Sequence, residues 1–124
     1  MRVGLLLVMP QSELPTGIER LLTRVPYSCS EPGYVHFRQD LLREWVGEVA
    51  AAHLNGWELL RQGAVARLGH EDPEMIDRAL AILFVVGNAA DAAAVEPLLS
   101  HHDERLRKAA RTCLFEIRRR PAEA

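Results

Sequence analysis

Cysteine is scarce in this chain. Cys29 and Cys113 are the only two in 124 residues, they lie far apart, and neither belongs to a CxxC pair. That excludes a disulfide framework and leaves free thiols in a reducing compartment, the cytoplasm, as the expectation. Membrane-length apolar runs are missing as well. The N-terminal run at residues 3–9 (VGLLLVM) is far short of the ~20 residues a spanning helix needs. The Pro10-Gln11-Ser12-Glu13 that follows lacks the small-residue cleavage site of a signal peptide, so a buried first element is expected. Net charge is nearly absent at −2, and no overall field draws the chain to nucleic acid or to a membrane. There is no GxSxG, no HExxH and no phosphate loop, which removes the familiar signatures of serine hydrolases, zincins and nucleotide enzymes. No segment reads as a sheet.

What is present is a single soluble domain's worth of apolar residues, 48%, and charged residues, 26%, an ordinary globular balance. At this length a core forms without disulfides or metal. The charge is unevenly spread. Residues 103–124 carry +3 and residues 1–102 carry −5, and fourteen of the fifteen basic residues are arginine.

Helical periodicity runs through most of the sequence. Thr16 and Glu19 have the spacing of a capping box, and Ile18, Leu21, Leu22 and Val25 follow on one helical face. Pro26 ends that helix, and residues 26–35 read as a loop. A second helix is expected over residues 35–54, with Leu41, Leu42, Trp45, Val46 and Val49 as its apolar stripe. Asn55-Gly56 stops it, because glycine tolerates the left-handed conformation that closes a helix. A third helix covers residues 57–68. Asp72-Pro73 then opens a fourth, with Asp as the cap and Pro at the first helical position. Residues 79–86 (ALAILFVV) make its later turns apolar nearly all round, as befits a helix covered on several sides. A fifth helix over residues 92–99 has Asp91 as its cap and a bend at Pro97. The sixth starts at Asp103 and carries Leu106, Ala109, Ala110, Cys113, Leu114 and Ile117 on one face. It ends in Arg118, Arg119 and Arg120, where cations suit the helix dipole.

Two hairpins in the second half align on each other. Leu68 meets Leu99, His70 meets His101, Asp72 meets Asp103, Ala79 meets Ala110, Leu83 meets Leu114 and Phe84 meets Phe115. Units of this size bury their faces on one another when they stack. The stretch 89–117, AADAAAVEPLLSHHDERLRKAARTCLFEI, resembles one HEAT-like repeat of the short, alanine-rich bacterial type. Its first helix ends in Ala94-Val95-Glu96-Pro97-Leu98-Leu99, its turn is acidic at Asp103, and its second helix opens with Leu106-Arg107 before the pair Ala109-Ala110. The preceding hairpin departs from that pattern, with Ile76 at the position equivalent to Arg107.

The resemblance implies an all-α fold, a right-handed stack of helical hairpins forming a HEAT-like α-solenoid of two to three repeats. Residues 1–56 would cap the stack, and residues 57–87 and 88–120 would be its hairpins. It says little about function, since such folds serve as scaffolds, inhibitors, lyases, hydroxylases and DNA-binding enzymes.

Several residue groups carry candidate chemistry. His70-Glu71 with His101-His102-Asp103 could hold a metal if stacked turns brought them together. In HEAT-like hydroxylases, however, the His-Glu pair lies inside the second helix, whereas here it precedes the cap; solvated turn residues are expected. A Cys29–His36 pair lies across one loop with nothing further to support it. The expectation is therefore no metal, no cofactor and no catalytic group. Arg107, Lys108 and Arg111 form a short basic face on the sixth helix. No aromatic residue interleaves these charges in this reading, so a solvated outer face is expected. Trp45 and Trp57 flank the Asn55-Gly56 turn and are expected in the core.

The leading expectation is a small protein–protein interaction module: an adaptor, an immunity-type inhibitor or an assembly subunit. Arg78, Arg107, Lys108 and Arg111 would be its partner-binding residues, lining a groove of second helices or its rim. The competing readings are a HEAT-type enzyme component, a lyase or metal-dependent hydroxylase, and a nucleic-acid binder. A homodimer through the apolar N-terminal region is also expected, since the ends of a stack need polar outer faces and residues 3–9 do not provide one.

Overall fold

A computed structural model describes residues 14–24 and 39–121. Among them are six α-helices and no strand: α1 (Thr16–Arg24), α2 (Gln39–Ala51), α3 (Gly56–Ala66), α4 (Pro73–Val86), α5 (Ala92–Val95) and α6 (Glu104–Ile117). The all-helical expectation therefore holds. Residues 3–9, the 26–35 loop, Cys29 and His36 lie outside the described residues.

The helix read as apolar all round is the centre of the molecule. In α4 every residue from 79 to 85 is buried, and α1, α2, α3 and α6 all pack against it. Its start follows the sequence closely. Asp72 is extended, its Oδ1 accepts the Glu74 amide at 3.0 Å, and Pro73 occupies the first turn, where its missing N–H costs nothing. The α6 helix is built the same way, with Asp103 Oδ1 accepting the Arg105 amide at 2.9 Å.

The α2–α3 turn differs from expectation in mechanism. The left-handed residue is Asn55, at φ 57°, and not Gly56. Gly56 already belongs to α3, and it is needed for closeness: a Cβ there would stand 2.0 Å from the Ala50 carbonyl oxygen. α2 ends at Ala51, and Leu54, expected within it, sits exposed in the turn. The buried stripe of α2 is Leu42, Val46 and Ala50, with Trp45 and Val49 packed beside it. Leu41 falls outside that stripe and is 46% exposed.

Two other local readings change. Glu19 does not reach back to close a capping box; its amide donates to the Pro15 carbonyl, and its carboxylate accepts from Arg67 at 3.1 Å, tying α1 to the end of α3. The fifth helix keeps α-geometry only over Ala92–Val95 and continues as a 3-10 turn, Glu96–Ser100, which Pro97 enters at its start. A second 3-10 turn, Ala89–Asp91, precedes α5. Asn88 accepts the Ala90 amide there, while Asp91 accepts the Asn88 amide.

Leu83 is fully buried in α4. Leu83→Ala should therefore lower the unfolding free energy by roughly 2–5 kcal/mol, read from chemical denaturation. A loss under about 0.5 kcal/mol, the range of surface changes, would contradict the central role of α4. Gly56→Ala should cost about 2 kcal/mol or more by forcing the α2–α3 turn open. Gly47→Ala, where an added Cβ meets nothing within 4 Å, should be neutral or stabilising.

Candidate functional site

The two histidine turns are the same small structure used twice. In each, the histidine Nδ1 accepts the amide of the aspartate two residues on: His70 from Asp72 and His101 from Asp103, both at 3.0 Å. The aspartate then caps the following helix. With Nδ1 accepting, a neutral ring carries its proton on Nε2, so neither nitrogen offers a lone pair to a metal without breaking the turn. His102 stacks on His101 with ring centroids 4.3 Å apart. Among the described residues no three His, Cys, Asp or Glu side chains gather where a metal ion would fit. Cys113 is buried in α6, and burial pushes its thiol up to about 12, far from the thiolate a nucleophile needs.

At the far end of α4 lies a network of arginines. Arg120 donates to the Phe84 carbonyl at 2.8 Å, to the Gly87 carbonyl at 3.0 Å and to Glu116 at 2.8 Å. Its own carbonyl accepts the Ala89 amide at 2.8 Å. The sequence assigns the terminal cations to the dipole of their own helix; Arg120 instead closes the C-terminus of α4. Glu116 also pairs with Arg43 of α2 and with Arg119, each at 3.3 Å. Burial works against the charged form of Glu116, yet the Arg120, Arg43 and Arg119 guanidiniums together hold its pKa below the usual carboxylate value. The Arg43 guanidinium also lies 5.1 Å from the centre of the Phe84 ring, within range of a cation–π attraction.

Beside this network is an open cleft of about 330 Å³, lined by Trp57, Arg61, Val86, Asn88, Arg120 and Pro121 among others. Trp57 is not a core residue as expected; half of it is exposed on the cleft wall. Both cations of the cleft are engaged within the fold. Arg61 binds Glu58 at 2.6 Å and also pairs with the buried Asp91. The hydrogen bond from Arg61 is the main reason the Glu58 pKa falls. The cleft is thus a joint between α3, α4 and the end of α6, with its charges already matched.

The predicted partner-binding residues are placed as follows. Arg78 is half-buried on α4 and Arg111 is exposed on α6; neither has an ion pair with a described residue. Arg107 turns back onto the His101 carbonyl at 2.7 Å and so braces its own turn. Lys108 is exposed and pairs with Glu104 at 3.6 Å. The helical spacing brings Lys108 and Arg111 onto one outward face of α6, while Arg107 sits at the flank.

One residue of that face was missed. Phe115 is 70% exposed, beside Arg111 and under the Arg119 guanidinium at 5.8 Å. An aromatic residue does interleave these charges, contrary to expectation. Phe84, its counterpart in the preceding hairpin, is only 3% exposed. The identity of the two residues suggested two equal packing positions, but burial depends on what lies opposite. Phe84 has Arg43 across it and α6 alongside, whereas no described helix follows α6. Leu99 is likewise more exposed than its counterpart Leu68. The i, i+4, i+7 spacing of Arg111, Phe115 and Arg118 was the available signal.

Comparison with protein-family models, with curated proteins and with solved structures gives no match. The class of the protein is accordingly that of its fold, which over the described residues is all-helical and organised around one buried helix. No helix among the described residues is long and apolar enough to cross a membrane.

Two outcomes test the arginine network. Arg120→Ala removes the guanidinium that donates to the Phe84 and Gly87 carbonyls and should cost about 1–3 kcal/mol, measured by denaturation. Because the folded pKa of Glu116 is depressed, its contribution is complete above the unfolded value near 4.3 and is lost as pH falls through the lower folded value, roughly as linkage requires. The melting temperature should fall with acidification below about pH 4.5, and Glu116→Gln should start lower at neutral pH and show a shallower acid decline. An identical acid profile in the variant would contradict the role given to Glu116.

Proposed function

We propose that this protein is a HEAT-like stack of helical hairpins that works as a protein–protein interaction module in the cytoplasm, with the outer face of α6 as its docking surface for an acidic partner. The observation that carries the reading is Phe115. A largely exposed aromatic on a rigid helix, flanked by Lys108, Arg111 and Arg119, has the composition of an interface centre, where aromatics and arginines concentrate. Its counterpart in the preceding hairpin, Phe84, is covered, which supports two stacked units of like build with unequal cover. The repeated His-x-Asp turns support the stack as well, since two units of like length share one local hydrogen-bond design. Arg105 of the second turn reaches Glu74 of the first at 3.5 Å, its own counterpart position. Arg78 and Arg107 serve at the margin, as a groove residue and a turn brace respectively.

The interleaved aromatic also favours a second reading, a nucleic-acid strand stacked on Phe115 and held by the same cations. Several features weigh against it. Lys108, Arg118 and Arg119 are each paired with glutamates, Glu104, Glu96 and Glu116, and residues 1–102 carry a net −5.

A photo-crosslinking residue placed at position 115 in cells should capture a protein, and the purified pair should bind. Combining Lys108→Glu with Arg111→Glu should weaken that binding at least about tenfold, roughly 1.4 kcal/mol, with melting temperature unchanged. Binding left intact by the double reversal would overturn the assignment. So would capture of nucleic acid alone, with affinity falling steeply as salt rises.

A further inference from the structure

The outer face of α2 is the chemical complement of the outer face of α6. On α2 the exposed residues are Asp40, Leu41, Glu44, Glu48 and Ala51, one stripe opposite the buried Leu42, Val46 and Ala50. It carries three carboxylates, and among the described residues Glu44 and Glu48 form no ion pair. On α6 the exposed stripe contains Glu104, Lys108, Arg111 and Phe115, with Arg119 just beyond the end of the helix. Each stripe has one exposed large apolar residue, Leu41 and Phe115.

The spacing matches as well as the charge. Leu41, Glu44 and Glu48 stand at i, i+3 and i+7, and so do Lys108, Arg111 and Phe115, the spacing by which paired helices present one seam. Laid parallel, the two stripes would set Leu41 against Lys108 and Glu48 against Phe115, wasting both apolar residues. Laid antiparallel, they set Leu41 against Phe115, Glu44 against Arg111 and Glu48 against Lys108. Each of these three pairs is then complementary.

Resting on the docking reading above, we propose that the partner of the α6 face is a second copy of this chain, which presents its α2 face antiparallel to it. The contact joins unlike surfaces. Repeated reciprocally about a two-fold axis it closes a dimer, and made singly it leaves each copy with a free face for the next. A seam of about two helical turns is small beside the roughly 1,200 Å² that stable pairs bury. Association is therefore weak, reversible and sensitive to salt, because exposed opposite charges are screened.

Sedimentation velocity of the intact chain over a wide concentration range provides the test. The wild type should grow in mass with concentration at about 50 mM salt and revert toward monomer at about 500 mM. A chain with Glu44→Arg and Glu48→Arg has two basic faces, and one with Lys108→Glu and Arg111→Glu has two acidic faces. Each should stay monomeric alone, and mixing the two should restore association, because unlike faces again oppose each other. Phe115→Ala should weaken self-association at least about fivefold, as loss of an interface aromatic does. Circular dichroism and melting curves keep folding separate from association in every variant. A wild type that is monomeric throughout, or one whose association survives either double reversal, would overturn the inference. Association that survives would place the contact elsewhere, such as residues 3–9. In either case a different protein crosslinked at position 115 would leave the interaction reading standing.

Discussion

Burying a helix on all sides creates a problem at its end. The last carbonyls of a helix have no intrahelical donor, and around α4 four neighbouring helices limit what water can supply. Arg120 answers that need. Its planar guanidinium supplies donors to two carbonyls and a carboxylate at once, a geometry that a lysine ammonium on a flexible stem does not reproduce as a rigid fork. Because Arg120 lies just beyond α6, satisfying α4 also fixes where α6 ends. Glu116 orients that guanidinium and recruits Arg43, which brings α2 onto the same point and spreads a cation over Phe84. Three helices are thus held by one polar cluster at the edge of an apolar core.

The opposite end of α4 is closed by more local chemistry. An aspartate caps the free amides, and a histidine two residues earlier accepts the aspartate's own amide. The same arrangement recurs at α6. Each turn sets its own geometry without a distant partner. His70, His101, Asp72 and Asp103, which resemble metal ligands in a sequence, are occupied here by backbone amides. Cys113 is withdrawn from chemistry in a different way, by desolvation, which penalises a thiolate inside an apolar helix face by more than the nearby Arg120 charge offsets.

The surfaces follow from the same limits on cover. A helical face becomes core only if another helix arrives to bury it. Phe84 and Phe115 occupy equivalent positions in the two hairpins, but only Phe84 is covered by what lies across it. Trp57 behaves similarly: its place at the start of α3 faces the cleft and not the interior. Exposed aromatics therefore mark where cover ends, and the charges around the exposed apolar residues differ in sign between α2 and α6.

By itself, the sequence determined the features that depend on neighbours within a turn or two of helix: the helical class, the caps at Asp72 and Asp103, the enclosed character of α4 and the buried stripes of α1 and α6. These are set by periodicity and by short-range hydrogen bonding, which a linear pattern records. Tertiary structure decided everything that depends on what stands opposite a residue. It chose Arg120 for the end of α4, sent Glu19 to Arg67 instead of to its own helix start, and required glycine at position 56 because the Ala50 carbonyl lies too close for a side chain. It separated Leu41, Trp57 and Phe115 from the apolar residues they resemble. Hydrophobicity fixes what a side chain would gain by being covered, while burial itself depends on partners brought from elsewhere in the chain.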